Sequence, residues 1–328
     1  MNKSGLFVSA LIIGGIFLVV WRLRGDSDAA TEISPDTAAT TSGRVISDRE
    51  PSAPSGIAGE AENMLRQGEA ALQRGDQEAA MQTLSNLVRR FPTQPAGVRA
   101  AVKLADIHEK AGDLYQARNM LSEALAGLDE GSDRQEAVQR LHRINGELVF
   151  SRRETPESIT YVVRSGDNLT RIARQFDITP EFIKRINYLT SDRIHPGDRL
   201  KVLQGPFDVF IEKSKFRLIV RRAGIFIKEY PVGLGKDGST PEGEFIVTNK
   251  LIDPEWNPPG PEYAAPDDPD NPLGTRWIGF KPHYGIHGTV EPEMIGVEDS
   301  RGCVRLFNED VEELFDLVVR GSQVVITP

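Results

Sequence analysis

Tyr284-Gly285-Ile286-His287-Gly288-Thr289 and Ser300-Arg301-Gly302-Cys303-Val304-Arg305 decide the reading of the C-terminal third of this chain. Cys303 is the chain's only cysteine, and sixteen residues separate it from His287. A lone cysteine is ordinarily buried and inert. Three features argue for a reactive thiol here. The chain reads as exported, Gly302 permits a tight turn with converging backbone N–H groups, and Arg301 and Arg305 flank the thiol with positive charge that favours the thiolate. A nucleophile also needs a base, and His283 and His287 are the only histidines of this third. A metal site of His283, His287 and Cys303 is disfavoured. Pro282 and Gly285 argue against a helix, and in a strand the two histidine Cα atoms stand about 13 Å apart, too far for one ion.

Outward from this pair the sequence is strand-rich. Asp208–Lys213, Phe216–Arg221 and Ile225–Pro231 alternate apolar and polar residues between short turns. Gly235–Phe245 has the glycine and proline density of loops at a sheet rim, and Leu251–Pro272 reads as an exposed excursion or lid. Upstream, Ser151–Ser158 is a polar linker. After it, Ile159–Leu203 orders as strand, helix, helix, strand, with Thr179 as N-cap and Pro180 at the first helical position of the second helix.

Residues 56–150 carry apolar residues every three or four positions, the helical period. A repeat appears at an offset of 37 residues, with Arg74-Gly75-Asp76, Ala80, Leu84 and Val88 matched by Ala111-Gly112-Asp113, Ala117, Leu121 and Leu125. Each glycine closes one helix, each aspartate caps the next, and each alanine allows close packing. Two units are fewer than such arrays usually need, so either further copies are degenerate or another surface completes them. A helical spacer and a partner-binding groove both fit. His108 and His142 read as ordinary surface or interhelical residues.

Residues 25–55 are too polar to bury a core and read as a flexible stalk. Gly5–Trp21 is uncharged and apolar apart from Ser9, about 25 Å of helix at 1.5 Å per residue. A cleaved signal peptide is the rival to an uncleaved anchor. However, Trp21-Arg22-Leu23-Arg24 follows the run where a small-residue site belongs, and Ser27-Asp28-Ala29 lies beyond both arginines. Residues 1–24 are therefore read as a membrane anchor. Lys3 against Arg22 and Arg24 leaves the orientation nearly tied on charge alone. A net charge of −9 argues against a nucleic-acid partner, and a single cysteine excludes a disulfide framework or a Cys-rich metal site.

Three segments resemble known families. YVVRSGDNLTRIARQF, ITPEFIKRIN and IHPGDRLKV, within 159–203, resemble a LysM domain, which implies binding to N-acetylglucosamine-containing glycan, chiefly peptidoglycan. The resemblance points to the loops containing Gly166, Asp167 and Asn168 and containing Ile194 and Pro196. The 56–150 repeat resembles tetratricopeptide hairpins, with a protein partner as one option. STPEGEF, NPLGTRWIGF, YGIHGT and SRGCVRLFNEDVEEL are similar to the YkuD-type L,D-transpeptidase catalytic domain over 207–328.

That last resemblance implies an all-β sandwich with Cys303 as nucleophile and His287 as general base. It also implies the Gly302 and Cys303 N–H groups as oxyanion hole, and Arg305 as a carboxylate-binding residue. Arg301, Tyr284 and His283 join it as candidate substrate contacts, and no metal or organic cofactor is implied. The family's usual Ser-His-Gly-Cys is Ser-Arg-Gly-Cys here, with Arg301 in the second position. The expected activity is acyl transfer between peptidoglycan stem peptides. An L,D-carboxypeptidase using water and a non-catalytic wall-binding scaffold are the alternatives. The expected architecture is thus multidomain: membrane helix, helical repeats, a small α+β LysM unit and a β-sandwich. It stands outside the cytoplasmic membrane with the N-terminus inside.

Overall fold

A computed structural model describes residues 56–257, 262–266 and 268–328. The expected anchor over 5–21 and stalk over 25–55 lie outside the described residues. Among those described, no helix is long and apolar enough to cross a membrane.

The helical region opens with two hairpins, α1 (Ile57–Gln73) with α2 (Gln77–Arg90) and α3 (Pro95–Lys110) with α4 (Leu114–Leu125). The repeated residues do the same work in both. Gly75 and Gly112 take φ of 78° and 75°, a left-handed conformation that other residues adopt only with strain. Asp76 and Asp113 accept the N–H of Ala79 and Gln116 at 3.1 Å, capping α2 and α4. Ala80 and Ala117 are fully buried at the helix crossings.

The surface that completes this array is α5 (Ser132–Leu148) together with the catalytic domain itself. Asn145, fully buried on α5, donates to the carbonyls of Phe226 and Ile227 at 2.9 Å. Arg134 pairs with Glu229 through both of its terminal nitrogens. His142 is therefore not the ordinary surface or interhelical residue expected. Its Nε2 accepts the Glu229 N–H at 3.1 Å, its ring stacks on Phe226, and burial pushes its pKa down to about 4.

The next unit is β1 (Ser158–Val162), α6 (Leu169–Gln175), α7 (Pro180–Asn187) and β2 (Arg199–Leu203), with β1 and β2 antiparallel. Asn168 caps α6 through the Arg171 N–H at 2.9 Å, and Thr179 caps α7 through the Phe182 N–H at 2.9 Å. The unit shares one continuous core with α4, α5 and the C-terminal sheets. Phe182 packs edge-on to Phe207, ring centres 5.0 Å apart. The Thr179 hydroxyl donates to the Asp316 carbonyl, and Arg185 pairs with Asp316 and Glu313. Lys201, its pKa pushed down to about 8 by burial, donates to Leu148 O at 2.6 Å and Ser151 O at 2.8 Å. Glu157, in the linker before β1, is gripped by Arg118 of α4 and by Arg222 of the catalytic domain.

Removing 159–203 therefore uncovers Phe207 and orphans buried polar groups. Exposing one large buried side chain costs about 1.5–3 kcal/mol. Such a deletion is expected to lower the melting temperature of the remaining chain by well over 5 °C, measurable by differential scanning fluorimetry. An unchanged melting temperature would mean that the shared core contributes nothing to stability.

The C-terminal domain holds two main sheets. One contains β3 (Asp208–Glu212), β4 (Arg217–Arg222), β5 (Ile225–Pro231), β7 (Gly243–Ile246) and β13 (Gln323–Thr327) in the order β5-β4-β3-β13-β7. Strand β5, against which α5 docks, is thus an edge strand. The other sheet, in the order β12-β10-β9-β8, contains β8 (Asn249–Ile252), β9 (Arg276–Lys281), β10 (Tyr284–His287) and β12 (Val304–Arg305). A small parallel pair joins β6 (Leu234–Gly235) to β11 (Glu298–Ser300).

The expectation of an all-β domain is corrected by helix α8 (Asn308–Leu317). Its reason is visible in the residues. Val311, Leu314 and Phe315 return at helical spacing and are buried, and Glu309 and Asp310 sit in the first turn, where carboxylates favour the helix dipole. Lys250 of β8 pins the end of α8 by donating to Phe315 O and Val318 O at 2.6 and 2.7 Å.

Candidate active site

Alternation along the four-stranded sheet separates a core face from a site face. Ile278, Ile286 and Val304 point inward and are fully buried. On the opposite face His287 pairs across with Trp277 on β9 and with Arg305 on β12, while Leu251 of β8 stands opposite Trp277. Cys303, two residues before Arg305, lies beside Gly285, one step along from that row. The sequence separation of sixteen residues between His287 and Cys303 is thus closed by a parallel strand pair.

Cys303 follows a turn in which Gly302 has φ of 117°. A Cβ on Gly302 would stand 2.6 Å from Tyr284 Cε1 and 3.0 Å from Ser239 O, so only glycine fits. Ser300 ties the turn. Its hydroxyl accepts the Gly302 N–H at 3.1 Å and donates to Cys303 O at 2.7 Å. This narrows the expected pair of anion donors. The Gly302 N–H is committed to Ser300, whereas the Cys303 N–H has no partner among the described residues. Beyond the turn, Gly233 and Arg305 exchange two backbone hydrogen bonds of 2.9 Å and fix the strand.

The sulfur lies 3.7 Å from the His283 carbonyl, with the Gly285 N–H also directed at it. Burial pushes the Cys303 thiol pKa up, and the Gly285 N–H and Arg305 charge only partly oppose this. The expected thiolate is therefore not favoured. Arg301 does not supply the missing charge, because it is exposed and paired with Glu262 at 3.3 Å.

His287 is buried, with 4% of its surface exposed. Its Nδ1 lies 2.6 Å from Gly288 O, so Nδ1 carries the proton and Nε2 keeps its lone pair. Burial, reinforced by Arg305, holds its pKa down at about 4 although the Gly288 carbonyl favours the charged form. The pair is thus a neutral imidazole beside a protonated thiol. Asn308 holds the segment after His287 by donating to Thr289 O at 3.1 Å and accepting the Thr275 N–H at 3.2 Å.

A cavity of about 590 Å³ opens onto Cys303, walled by Leu251, Trp256, Leu273, Trp277, Tyr284 and others. His283 and Arg301 line it as well. His283 sits at φ 66° in the two-residue turn between β9 and β10, away from the strand position expected. Arg305 is not among the lining residues. Its buried Nε and Nη1 have no hydrogen-bond partner among the described residues, and Glu291 is 3.6 Å away. Among the described residues no three His, Cys, Asp or Glu side chains gather as a metal cluster.

In the smaller unit, the two loops named from the sequence come together. The Val163 N–H donates to Asp198 O at 2.9 Å and the Gly197 N–H to Val163 O at 2.8 Å. Gly166, Asn168 and Pro196 are exposed there, while Ile194 is half-buried against the core. Asp167 is occupied by the fold, accepting from Tyr161 OH and the Arg164 N–H at 2.8 Å. Three residues that shape the main site carried no assigned role in the sequence, namely Ser300, Trp277 and Asn308. All lie inside the quoted motifs, but nothing in the sequence says which neighbours they meet.

A cysteine opening onto a cavity, with a buried histidine on the adjoining strand of the same sheet, defines a cysteine-dependent acyl-transfer enzyme. The chain belongs to the L,D-transpeptidase family. The model of the L,D-transpeptidase catalytic domain matches residues 206–326, that of the LysM domain 161–203, and that of a tetratricopeptide repeat 62–93. A Bacillus licheniformis relative bearing the L,D-transpeptidase name YkuD is 31% identical over 180 residues, 52% of this chain and 99% of that protein. The YkuD protein of Bacillus subtilis (strain 168) is 32% identical over 177 residues, 51% of this chain and 98% of its own. YqjB, also from Bacillus subtilis and also bearing the L,D-transpeptidase name, is 45% identical over 105 residues, 30% of this chain and 58% of its own.

Proposed function

We propose that the chain joins peptidoglycan stem peptides through a Cys303 thioester, with His287 as general base. The observation that carries this reading is the placement of Cys303 and a neutral His287 on adjoining segments of one sheet, Cys303 beside Gly285 and His287 two residues on. Cys303 Sγ attacks the carbonyl carbon of the third stem residue, a diamino acid linked through its L-centre, and its proton passes to His287 Nε2. The tetrahedral oxyanion is received by the Cys303 N–H. The C–N bond to the terminal D-amino acid then breaks, and His287 returns the proton to the leaving amine. An acceptor amine attacks the thioester, gives its proton to His287, and the C–S bond breaks with return of that proton to sulfur. Because the thiol is protonated and the imidazole neutral, proton transfer accompanies attack instead of preceding it. Tyr284, His283 and Arg301 line the cavity where the stem peptide binds. Arg305, outside the cavity lining, acts on Cys303 through its charge.

Full-length protein incubated with a tetrapeptide-stem muropeptide tests the reading by mass spectrometry. Release of the D-amino acid with dimer formation is expected. Release without dimers would establish the carboxypeptidase, and no release would establish a wall-binding scaffold.

The LysM unit holds the enzyme on glycan through the joined loops at Gly166–Asn168 and Ile194–Pro196. A double variant, Asn168→Asp with Pro196→Asp, keeps a capping carboxylate for α6 and adds charge to the exposed loops. It is expected to lower sacculus retention several-fold in a pull-down while leaving the melting temperature within about 2 °C, as for surface changes. Full retention would move the glycan site elsewhere. Residues 5–21 anchor the chain with its N-terminus cytoplasmic, which puts the thiol on the side where peptidoglycan lies. The uncharged apolar run supports this reading. Extraction of the chain from membranes by alkaline carbonate would refute it.

A further inference from the structure

Trp277 and His287 face each other across β9 and β10, ring centres 5.8 Å apart and planes inclined by only 14°. Two residues further along the same face stand Gly279 and Gly285, which are also paired across the strands. Neither tolerates a side chain beneath the indole. A Cβ on Gly285 would lie 2.6–2.8 Å from three indole carbons, and one on Gly279 would lie 2.0 Å from Asn249 Oδ1 and 2.9 Å from the indole nitrogen. The indole thus lies in a two-glycine cradle, flat against the imidazole, and its other side walls the cavity that opens onto Cys303.

We infer that Trp277, seated on Gly279 and Gly285, is the positioning residue of His287, fixing its ring plane and shutting water from it. The inference rests on the reading of His287 as the base. The Gly288 carbonyl fixes which nitrogen is basic, but one hydrogen bond leaves the ring free to tilt about it. The stacked indole removes that freedom, and it covers a ring that water would otherwise solvate. Solvation favours the charged form of histidine, so uncovering the ring must raise its affinity for a proton. A protonated His287 has no lone pair to accept the thiol proton.

The test is the acylation rate by a carbapenem against pH, with the His287 ring titration followed by NMR, in full-length protein. The wild-type acid limb is expected near the pKa of about 4. In Trp277→Leu it is expected to climb toward the ordinary histidine value of about 6.5, a loss of about tenfold at pH 5.5 with a much smaller loss at pH 8. Gly285→Ala, which evicts the indole without removing it, is expected to reproduce that shift, and Trp277→Phe to restore most of the wild-type profile. An acid limb and ring titration unmoved in Trp277→Leu and in Gly285→Ala would overturn the inference, provided that His287→Ala is inactive. Normal acylation by His287→Ala would overturn the base assignment itself, a distinct outcome.

Discussion

Cys303→Ala is expected to abolish acyl-enzyme formation while the fold and glycan retention stay intact. The side chain is half-buried, and its sulfur makes only weak contacts, with the His283 carbonyl at 3.7 Å and the Gly285 N–H, so little packing is lost. The turn that presents it is held without the sulfur, by the Ser300 hydroxyl, the Gly302 conformation and the backbone pairing of Gly233 with Arg305. Loss of the covalent adduct with a carbapenem, read by mass spectrometry of the intact protein, is the direct measurement. Cys303→Ser sharpens it. A neutral imidazole whose pKa lies at about 4 is too weak a base to make an alkoxide, so the serine variant should acylate orders of magnitude more slowly than the thiol. An adduct persisting in Cys303→Ala would place the nucleophile elsewhere in the chain.

The periodic parts of this molecule were legible because their cause is local. Asp76 and Asp113 cap their own helices, Thr179 and Asn168 theirs, and each needs only the next three residues to do so. The hairpins of the helical repeat and the strand–helix–helix–strand unit followed from such signals. Helix α8 was less legible, because Val311, Leu314 and Phe315, though at helical spacing, follow directly on the strand-like residues around Cys303.

What stayed hidden depends on register between distant segments. His142 and Asn145 look like unremarkable helix residues until α5 meets strand β5, some eighty positions further on. The dependence of the strand–helix–helix–strand unit on its neighbours was hidden in the same way. Phe182 shares its packing with Phe207, and Thr179 bonds the end of α8. At the site, Cys303, His287 and Gly302 could be picked out by residue type and spacing. The electrostatics could not, because sequence proximity of Arg301 and Arg305 to the thiol said nothing about burial. Arg301 turns out to solvent and Glu262, and burial outweighs Arg305, so the thiol pKa moves in the opposite direction from the expected one.

His287→Ala is expected to be far more damaging than His283→Ala, because only His287 has a lone pair fixed by its surroundings. Its Nδ1 is held by the Gly288 carbonyl and its ring is buried, opposite Arg305 of the strand that follows Cys303. His283 occupies a turn at φ 66°, and it is its backbone carbonyl, not its imidazole, that meets the sulfur. Replacing His283 by alanine leaves that carbonyl in place, at the cost of putting another side chain in the left-handed region where glycine is most at ease. Loss of a general base costs on the order of 10²–10⁴ in rate. The second-order acylation constant of each variant should therefore separate them by at least about a hundredfold near neutral pH. The pH profiles divide them further. In His287→Ala, what rate survives should climb with pH as hydroxide draws the proton from a thiol whose pKa burial has raised. His283→Ala should keep the wild-type shape, since its imidazole takes no proton in the reaction. If His283→Ala were the crippled variant and His287→Ala acylated normally, the base would have to be sought on the turn, and the pairing of β10 with β12 would lose its catalytic meaning.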